Sequence, residues 1–250
     1  MNNTIKNFTV GIPTLNSAET IEECIVSILN QIFVPSMIII SDDGSNDSTI
    51  DICNGLLEAT SIKYEIIRNS ASPGISSNYN NIVQNCRTEY LQILDHDDFL
   101  LPGTYTADFK KLLETFKGLI LLRMSLQNSL VNGLIRSMQL ILLKSPLGIP
   151  KGLPLLGTTF TRSGIIYPLT ELRGFPLEAP YRAGADILQF HNMRRVLALK
   201  IWRIGGVVYT LNASAYSSMN SVSLYPKTLL YKLDFYLRRS LSGNIRRMLD

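Results

Sequence analysis

The sequence predicts an α/β fold, with a mostly parallel central sheet flanked by helices. Three observations carry this expectation. Short apolar runs alternate with amphipathic stretches of helical spacing through the first hundred residues. Short turns join them, and strands separated by helices imply parallel βαβ units with right-handed crossovers. Polar and acidic residues gather where the apolar runs end, which is where such sheets bind ligands.

Phe8 to Ile12 reads as the first strand, followed by the loop Pro13-Thr-Leu-Asn16. Ser17 can cap a helix from Ala18 to about Gln31, because Ile21, Cys24, Ile25, Ile28 and Leu29 keep helical spacing. Ser36 to Ser41 is the second strand, and a helix from Asn46 or Asp47 to about Ala59 follows it. Ile62 to Arg68 is the third strand, and Ala71-Ser-Pro-Gly74 is a turn before a helix over Ile75 to Cys86. Tyr90 to Leu94 is the fourth strand. The second half is less regular. It predicts a helix after Pro102 and a strand then a long helix over 118–145. A Pro/Gly-rich loop over 146–154 and a strand over Leu155 to Thr161 come next. Asp186 opens a helix running to about Arg203, Val207 to Leu211 is a strand, and Lys227 to Leu249 is a terminal amphipathic helix.

The 250 residues, 46% of them hydrophobic, suffice for one substantial core with an appendage. Division at residue 222 gives an α/β domain over 1–222, with halves at 1–100 and 101–222, and a helical tail over 223–250. Cys24, Cys53 and Cys86 form no CxxC pair and sit among apolar neighbours, as buried thiols do. That usage fits a reducing compartment. Met1 to Lys6 lacks an apolar signal core, and no uncharged apolar run reaches transmembrane length, so a cytoplasmic location is expected. The net charge of +4 conceals an asymmetry. Residues 1–100 hold 4 basic and 13 acidic side chains, a net of −9; residues 101–250 hold 20 and 7, a net of +13. A cation site in the first half and an anionic surface or substrate for the second would explain this division.

The fourth strand ends in Leu94-Asp95-His96-Asp97-Asp98. Three carboxylates at the mouth of a core strand repel one another unless something binds them. In extended chain, Asp95 and Asp97 would point to one side and could share Mg²⁺ or Mn²⁺, which bind together with substrate phosphates. A solvated acidic turn, with Asp98 capping a following helix, explains the same residues. Other chemistries lack their motifs. There is no GxGxxG, no GxxxxGK[ST] and no GxSxG, and His96 and His191 are the only histidines.

The ordered set Val10-Gly-Ile-Pro13-Thr14-Leu-Asn16, Ser27-Ile-Leu-Asn-Gln31, Ile40-Ser-Asp42-Asp43-Gly44-Ser45, Asn78 and Leu94-Asp95-His96-Asp97-Asp98 resembles the family 2 glycosyltransferases. The likeness is close over about 8–105 and looser to about 225. It implies the GT-A fold, a nucleotide-sugar donor and a divalent cation, Mg²⁺ or Mn²⁺. By resemblance, Pro13, Thr14, Asn16, Asp43, Arg68 and Asn78 line the nucleotide site, with Asp43 accepting a base N–H. Asp42 and Asp43 shaping only an Asp-Gly turn, and Arg68 being solvated, are the competing readings. Leu15 stands where many relatives carry an aromatic, which removes a stacking partner for the base. Asp95-His96-Asp97 matches the DXD motif, with Asp95 on the ribose or sugar side and Asp97 as the metal ligand. No late histidine is present to complete that ligand set.

The family also implies a base that deprotonates the acceptor hydroxyl. In Gly184-Ala185-Asp186 the usual acidic pair is reduced to Asp186, which could instead be a helix N-cap. Glu178 is the reserve candidate, and Arg182 could steer phosphate. In the tail, Lys227, Lys232, Arg238, Arg239, Arg246 and Arg247 interleave with apolar residues. Such a helix suits an anionic membrane surface, or packs its apolar face on the catalytic domain. No nucleic-acid module is recognisable. The expected activity is inverting sugar transfer to a hydroxyl of a glycan or of a lipid-linked glycan, such as one on polyprenyl diphosphate at the inner membrane face, in surface polysaccharide assembly. A non-catalytic scaffold is the second reading and a nucleotidyltransferase the third.

Overall fold

The computed structural model describes residues 3–69, 74–126, 162–177 and 185–209. The chain divides into two compact units, Met1–Arg123 with Arg162–Val208 and Met124–Thr161 with Tyr209–Asp250. The site described below lies in the first.

Strand β1 (Thr4–Thr14) leads into helix α1 (Ile21–Leu29), β2 (Val34–Asp42), α2 (Thr49–Leu57), β3 (Lys63–Arg68), α3 (Ile75–Asn85) and β4 (Tyr90–Ile93). These follow the expected βαβ order, with ends shifted by a few residues. β1 begins earlier than its apolar run because Thr4 and Ile5 pair with Val34 and Pro35 ahead of a bulge between Ile5 and Thr9, where Asn7 has φ 59°. Then come β5 (Phe99–Leu100), α4 (Ala107–Thr115), β6 (Leu119–Leu126), β7 (Ile165–Pro168), α5 (Leu169–Leu172), α6 (Ala185–Arg194) and β8 (Leu199–Tyr209). The order across the sheet is β3-β2-β1-β4-β7-β6-β8-β5. β1 to β4 are parallel neighbours, and β7 joins β4 and β6 antiparallel. This is a mixed α/β fold with a parallel half.

The order reverses between β1 and β4, because the chain fills β2 and β3 on one side before returning to β4 on the other. The ends of β1 and β4 therefore part to form a crevice. Local chemistry opens it further. The Gly11 carbonyl accepts from Leu94 N, so Gly11 faces β4. Pro13, two residues on, faces the same way and has no N–H to continue the ladder. The last β1–β4 pair is Gly11 with Ile93, and the chain beyond β4 is released for the acidic cluster.

One side of the sheet is filled by Phe8, Val10, Ile25, Ile28, Tyr105 and Phe109. Phe8 meets the Tyr105 ring edge-on at 5.3 Å, and Phe109 stacks on Tyr105 at 5.1 Å. On the other side α3 lies directly on Gly11. A Cβ at that position would overlap Ile82 Cγ2. Ser27 and Gln31, quoted above for their spacing, prove to be anchors. Ser27 Oγ accepts from Leu100 N at 3.0 Å. Gln31 donates to the Leu101 carbonyl at 3.1 Å and accepts from Tyr105 N at 3.0 Å. Together they hold the chain that follows the acidic cluster.

Three expectations change. The helix expected over Asp186 to Arg203 stops at Arg194, and β8 takes Leu199 onward because Leu119 N donates to the Ala198 carbonyl and Leu101 N to the Gly206 carbonyl. No helix starts at Asp98, which is buried and precedes β5, so it is not a helix cap. Residues 96 and 97 form a turn closed by Asp98 N on the Asp95 carbonyl at 2.9 Å, so strand alternation does not place the two DXD carboxylates. The long helix within 118–145, the strand at Leu155 to Thr161, Glu178, Arg182, the 222/223 boundary and the terminal helix lie outside the described residues.

Gly11→Ala should lower stability to denaturant by about 1–3 kcal/mol, the usual cost of overpacking a core. The added cost should shrink in an Ile82→Ala background, because the two positions share one space. Equal costs in both backgrounds would remove the close-approach argument.

Candidate functional site

At the β1 end, the Thr14 carbonyl accepts from Asp43 N at 2.9 Å and from Asn78 Nδ2 at 3.2 Å. Asn16 holds a left-handed backbone, φ 46°, which Asn tolerates better than most residues. Its N–H donates to Ser45 Oγ at 2.8 Å and its Oδ1 accepts from Asn46 N at 3.0 Å. The β1–α1 and β2–α2 loops are thus sewn together. The competing readings of Asp42 and Asp43 divide between the two residues. Asp42 is buried and shapes the turn, accepting from Gly44 N and Ser45 N. Asp43 Oδ1 accepts from Asn69 Nδ2 and Oδ2 from Gly74 N, both at 2.7 Å. These bonds fix the carboxylate, and its remaining lone pairs still suit a base N–H. Arg68, level with Asp42 across β2 and β3, reaches the Ser45 carbonyl at 3.5 Å. Leu15 is 47% exposed beside them.

Across the crevice, Asp95 N donates to Ser163 Oγ at 3.0 Å. The Asp95 carboxylate is gripped by Arg162: Nη2 lies 2.8 Å from Oδ1, and Nε lies 3.0 Å and 3.3 Å from the two oxygens. Arg162 was not anticipated from the sequence. A signal existed, since an acidic strand end calls for a counter-charge and Arg162 lies three residues before the apolar run of β7. His96, left without a role above, hydrogen-bonds Thr20 Oγ1 through Nδ1 at 3.0 Å. Beneath the cluster, burial first, then the charges of Asp98, Asp97 and Asp95, push the Cys24 thiol well above its usual range. It stays protonated.

Asp186 is half-buried in the first turn of α6. Gln189, one turn on, accepts from the Tyr79 hydroxyl at 3.0 Å and donates to the Phe175 carbonyl. The Arg162 guanidinium sits over the Tyr79 ring, 6.0 Å from its centroid. Burial raises Tyr79 and Tyr167; Arg162 opposes that shift and Asp186 adds to it, so both side chains are felt at the two phenols. The predicted residues therefore fall at two walls, with Asp43, Asn16 and Arg68 on one and Asp95 on the other. Asn78 ties into the first wall through Thr14.

Among the described residues no three His, Cys, Asp or Glu side chains converge as a metal site. Mg²⁺ or Mn²⁺ bound through phosphates needs only one or two carboxylates. Asp97 and Asp95 offer such hard oxygen donors.

Residues 9–135 match the sequence model of glycosyl transferase family 2. The chain belongs to that family. Over 108 residues it is 35% identical to the GalNAc(5)-diNAcBac-PP-undecaprenol beta-1,3-glucosyltransferase of Campylobacter jejuni, covering 43% of this chain and 35% of that one. Over 93 residues it is 32% identical to the poly(ribitol-phosphate) beta-glucosyltransferase of Bacillus spizizenii, covering 36% and 15%. The matched stretch is thus about a third or less of these relatives' length. Two solved structures share the GT-A fold. S. aureus TarS 1-349 in complex with UDP-GlcNAc superposes with a TM-score of 0.61 at 17% identity, covering 82% of this family 2 chain and 58% of TarS. Mannosyltransferase PcManGT from Pyrobaculum calidifontis, in complex with GDP-Man and Mn²⁺, gives 0.60 at 17% identity, covering 85% and 59%.

Asn16→Ala should cost about 1–2 kcal/mol, since most side chains strain at its left-handed backbone. Asn16→Gly should recover part of that loss. Unfolding curves for the two variants give the comparison, and equal losses would make the lost side-chain bonds the whole effect.

Proposed function

We propose that the chain transfers one sugar from a nucleoside-diphosphate donor to a glycan hydroxyl, with inversion at the anomeric carbon. The observation that carries the reading is the connection from Asp95 through Arg162 and Tyr79 to Gln189, one turn from Asp186. It links an acid at the sheet's crevice to an acid at a helix start. Chemistry between a bound donor and an attacking hydroxyl needs both.

In this reading Asp43 accepts a base N–H, while Pro13, Thr14, Asn16, Arg68 and Asn78 shape the nucleotide wall. Asp95 faces the ribose or sugar side. Asp97 would hold Mg²⁺ or Mn²⁺ with the diphosphate, and a cation there neutralises charge on the departing nucleoside diphosphate. Asp186 removes the acceptor proton as the oxygen attacks opposite the leaving phosphate. The neighbouring structures were solved with UDP-GlcNAc and with GDP-Man and Mn²⁺, which supports the donor class and cation.

The acceptor is proposed to be a lipid-linked glycan in surface polysaccharide assembly, in keeping with the undecaprenol-linked substrate in the name of the Campylobacter enzyme. No helix among the described residues is long and apolar enough to cross a membrane. The basic segment 227–249 would hold the protein on the anionic inner face. Ala185, standing where relatives carry the first acid of a pair, favours one second reading, a nucleotide-binding scaffold without turnover.

Nucleotide sugars tested with Mn²⁺ should include one that both stabilises the protein thermally and is turned over. Asp186→Asn should then lower kcat by about 10²–10⁴-fold, the typical contribution of a positioned general base, with donor affinity unchanged. Asp97→Ala should abolish the response to Mn²⁺. Stabilisation without turnover for every donor would favour the scaffold. Vesicles containing anionic lipid should recover the full chain better than one truncated after residue 225; equal recovery would sink the membrane assignment.

A further inference from the structure

We infer that Arg162 is a positioning residue that makes the donor-side acid and the base-bearing helix one mechanical unit. This rests on the glycosyl-transfer reading of Asp95 and Asp186. Arg162 itself cannot swing freely, because its neighbour is pinned to β4. Gln92 Nε2 donates to the Ser163 carbonyl at 2.6 Å, and Ser163 Oγ receives Asp95 N at 3.0 Å. Gln92 is fixed in turn by the Tyr105 hydroxyl at 2.5 Å. The backbone beside Arg162 is thus fixed to β4, and the guanidinium makes two contacts. One edge grips the Asp95 carboxylate with Nε and Nη2, and both side chains are only 14% exposed. The same cation lies over the Tyr79 ring.

Tyr79 extends the connection. It is fully buried, and its hydroxyl donates to Gln189 Oε1. Gln189 donates through Nε2 to the Phe175 carbonyl, which leaves Oε1 as the end that meets Tyr79. Positions three apart on a helix share a face, so Gln189 and Asp186 are neighbours on α6. A shift of Asp95 on the donor side displaces the guanidinium, then the Tyr79 ring, then the turn that carries Asp186. Lysine would keep the charge but lacks the planar fork, so it cannot grip both Asp95 oxygens and keep a fixed place over the Tyr79 ring. Arg162 therefore serves the donor wall by its charge and α6 by the fixed position that its fork gives it over the Tyr79 ring.

These two roles separate experimentally in the full chain. For the nucleotide sugar found to turn over, Arg162→Gln should raise donor KM and lower kcat. Arg162→Lys should restore KM and leave kcat low. Tyr79→Phe, which keeps the ring and removes only the hydroxyl, should lower kcat about fivefold to tenfold, the worth of one hydrogen bond, with KM unchanged. Amide hydrogen exchange over 185–194 needs no substrate, and it should quicken in all three variants while β1 to β3 exchange as in the parent. If no nucleotide sugar turns over, the glycosyl-transfer reading falls and exchange alone judges the connection. If Arg162→Gln does not fold, Arg162→Lys and Tyr79→Phe suffice. Unchanged exchange over 185–194 would overturn the inference, as would quickening spread evenly through the sheet. Restoration of kcat together with KM by lysine would also overturn it.

Discussion

Gly11 is where helix α3 comes down on the sheet, its Ile82 side chain seated where a Cβ would stand. A single methyl group there would collide with Ile82, and the interior has no slack to absorb it. The closeness sets the height of α3 above β1, and that height decides which polar groups the helix can reach. Asn78, Tyr79, Asn80 and Asn81 follow one another along its second turn. Asn78 bonds the Thr14 carbonyl at the end of β1, and Asn81 bonds Ser41 Oγ on β2. Tyr79 bonds Gln189 on α6, while Asn80 receives Leu177 N and donates to the Leu177 carbonyl. Four consecutive residues, about 100° apart around the axis, thus secure two strands, a helix and a loop. Most of these side chains are buried or half-buried, so each bond also avoids the cost of an unsatisfied polar atom.

Electrostatics and packing meet at the opposite wall. An ionised carboxylate at 14% exposure is costly without a partner. Arg162 offsets that cost for Asp95 with a fork of donors, and the acidic cluster persists at the mouth of a core strand as a result. The same field is felt by the Cys24 thiol below, which burial has already pushed upward. A negative potential and a fixed cation therefore sit within one crevice.

The four βαβ strands and their helices were readable in order because their signals are local. Apolar periodicity and turn residues need no knowledge of distant partners. Asp43 and the acidic cluster were readable because both lie where strands end. What failed was non-local. The chain from Leu199 to Arg203 has no strong preference of its own and becomes strand because of partners far away in sequence. β5 is two residues long, too short to announce itself, and β7 is set by its antiparallel partners β4 and β6, distant in sequence. Arg162 was missed for a related reason. Its partner is 67 positions away, and a lone arginine before an apolar run usually means a solvated surface. The premise that Asp95 and Asp97 alternate along a strand failed because the ladder ends earlier, at Gly11 and Ile93.

Tyr79 and Asn80 are adjacent, yet one secures the chain at Gln189 and the other at Leu177. The chain that leaves Leu177 and re-enters at α6 is therefore moored at both ends to a single turn of one helix. The two places where that stretch meets the described chain are thus fixed by neighbouring residues of α3.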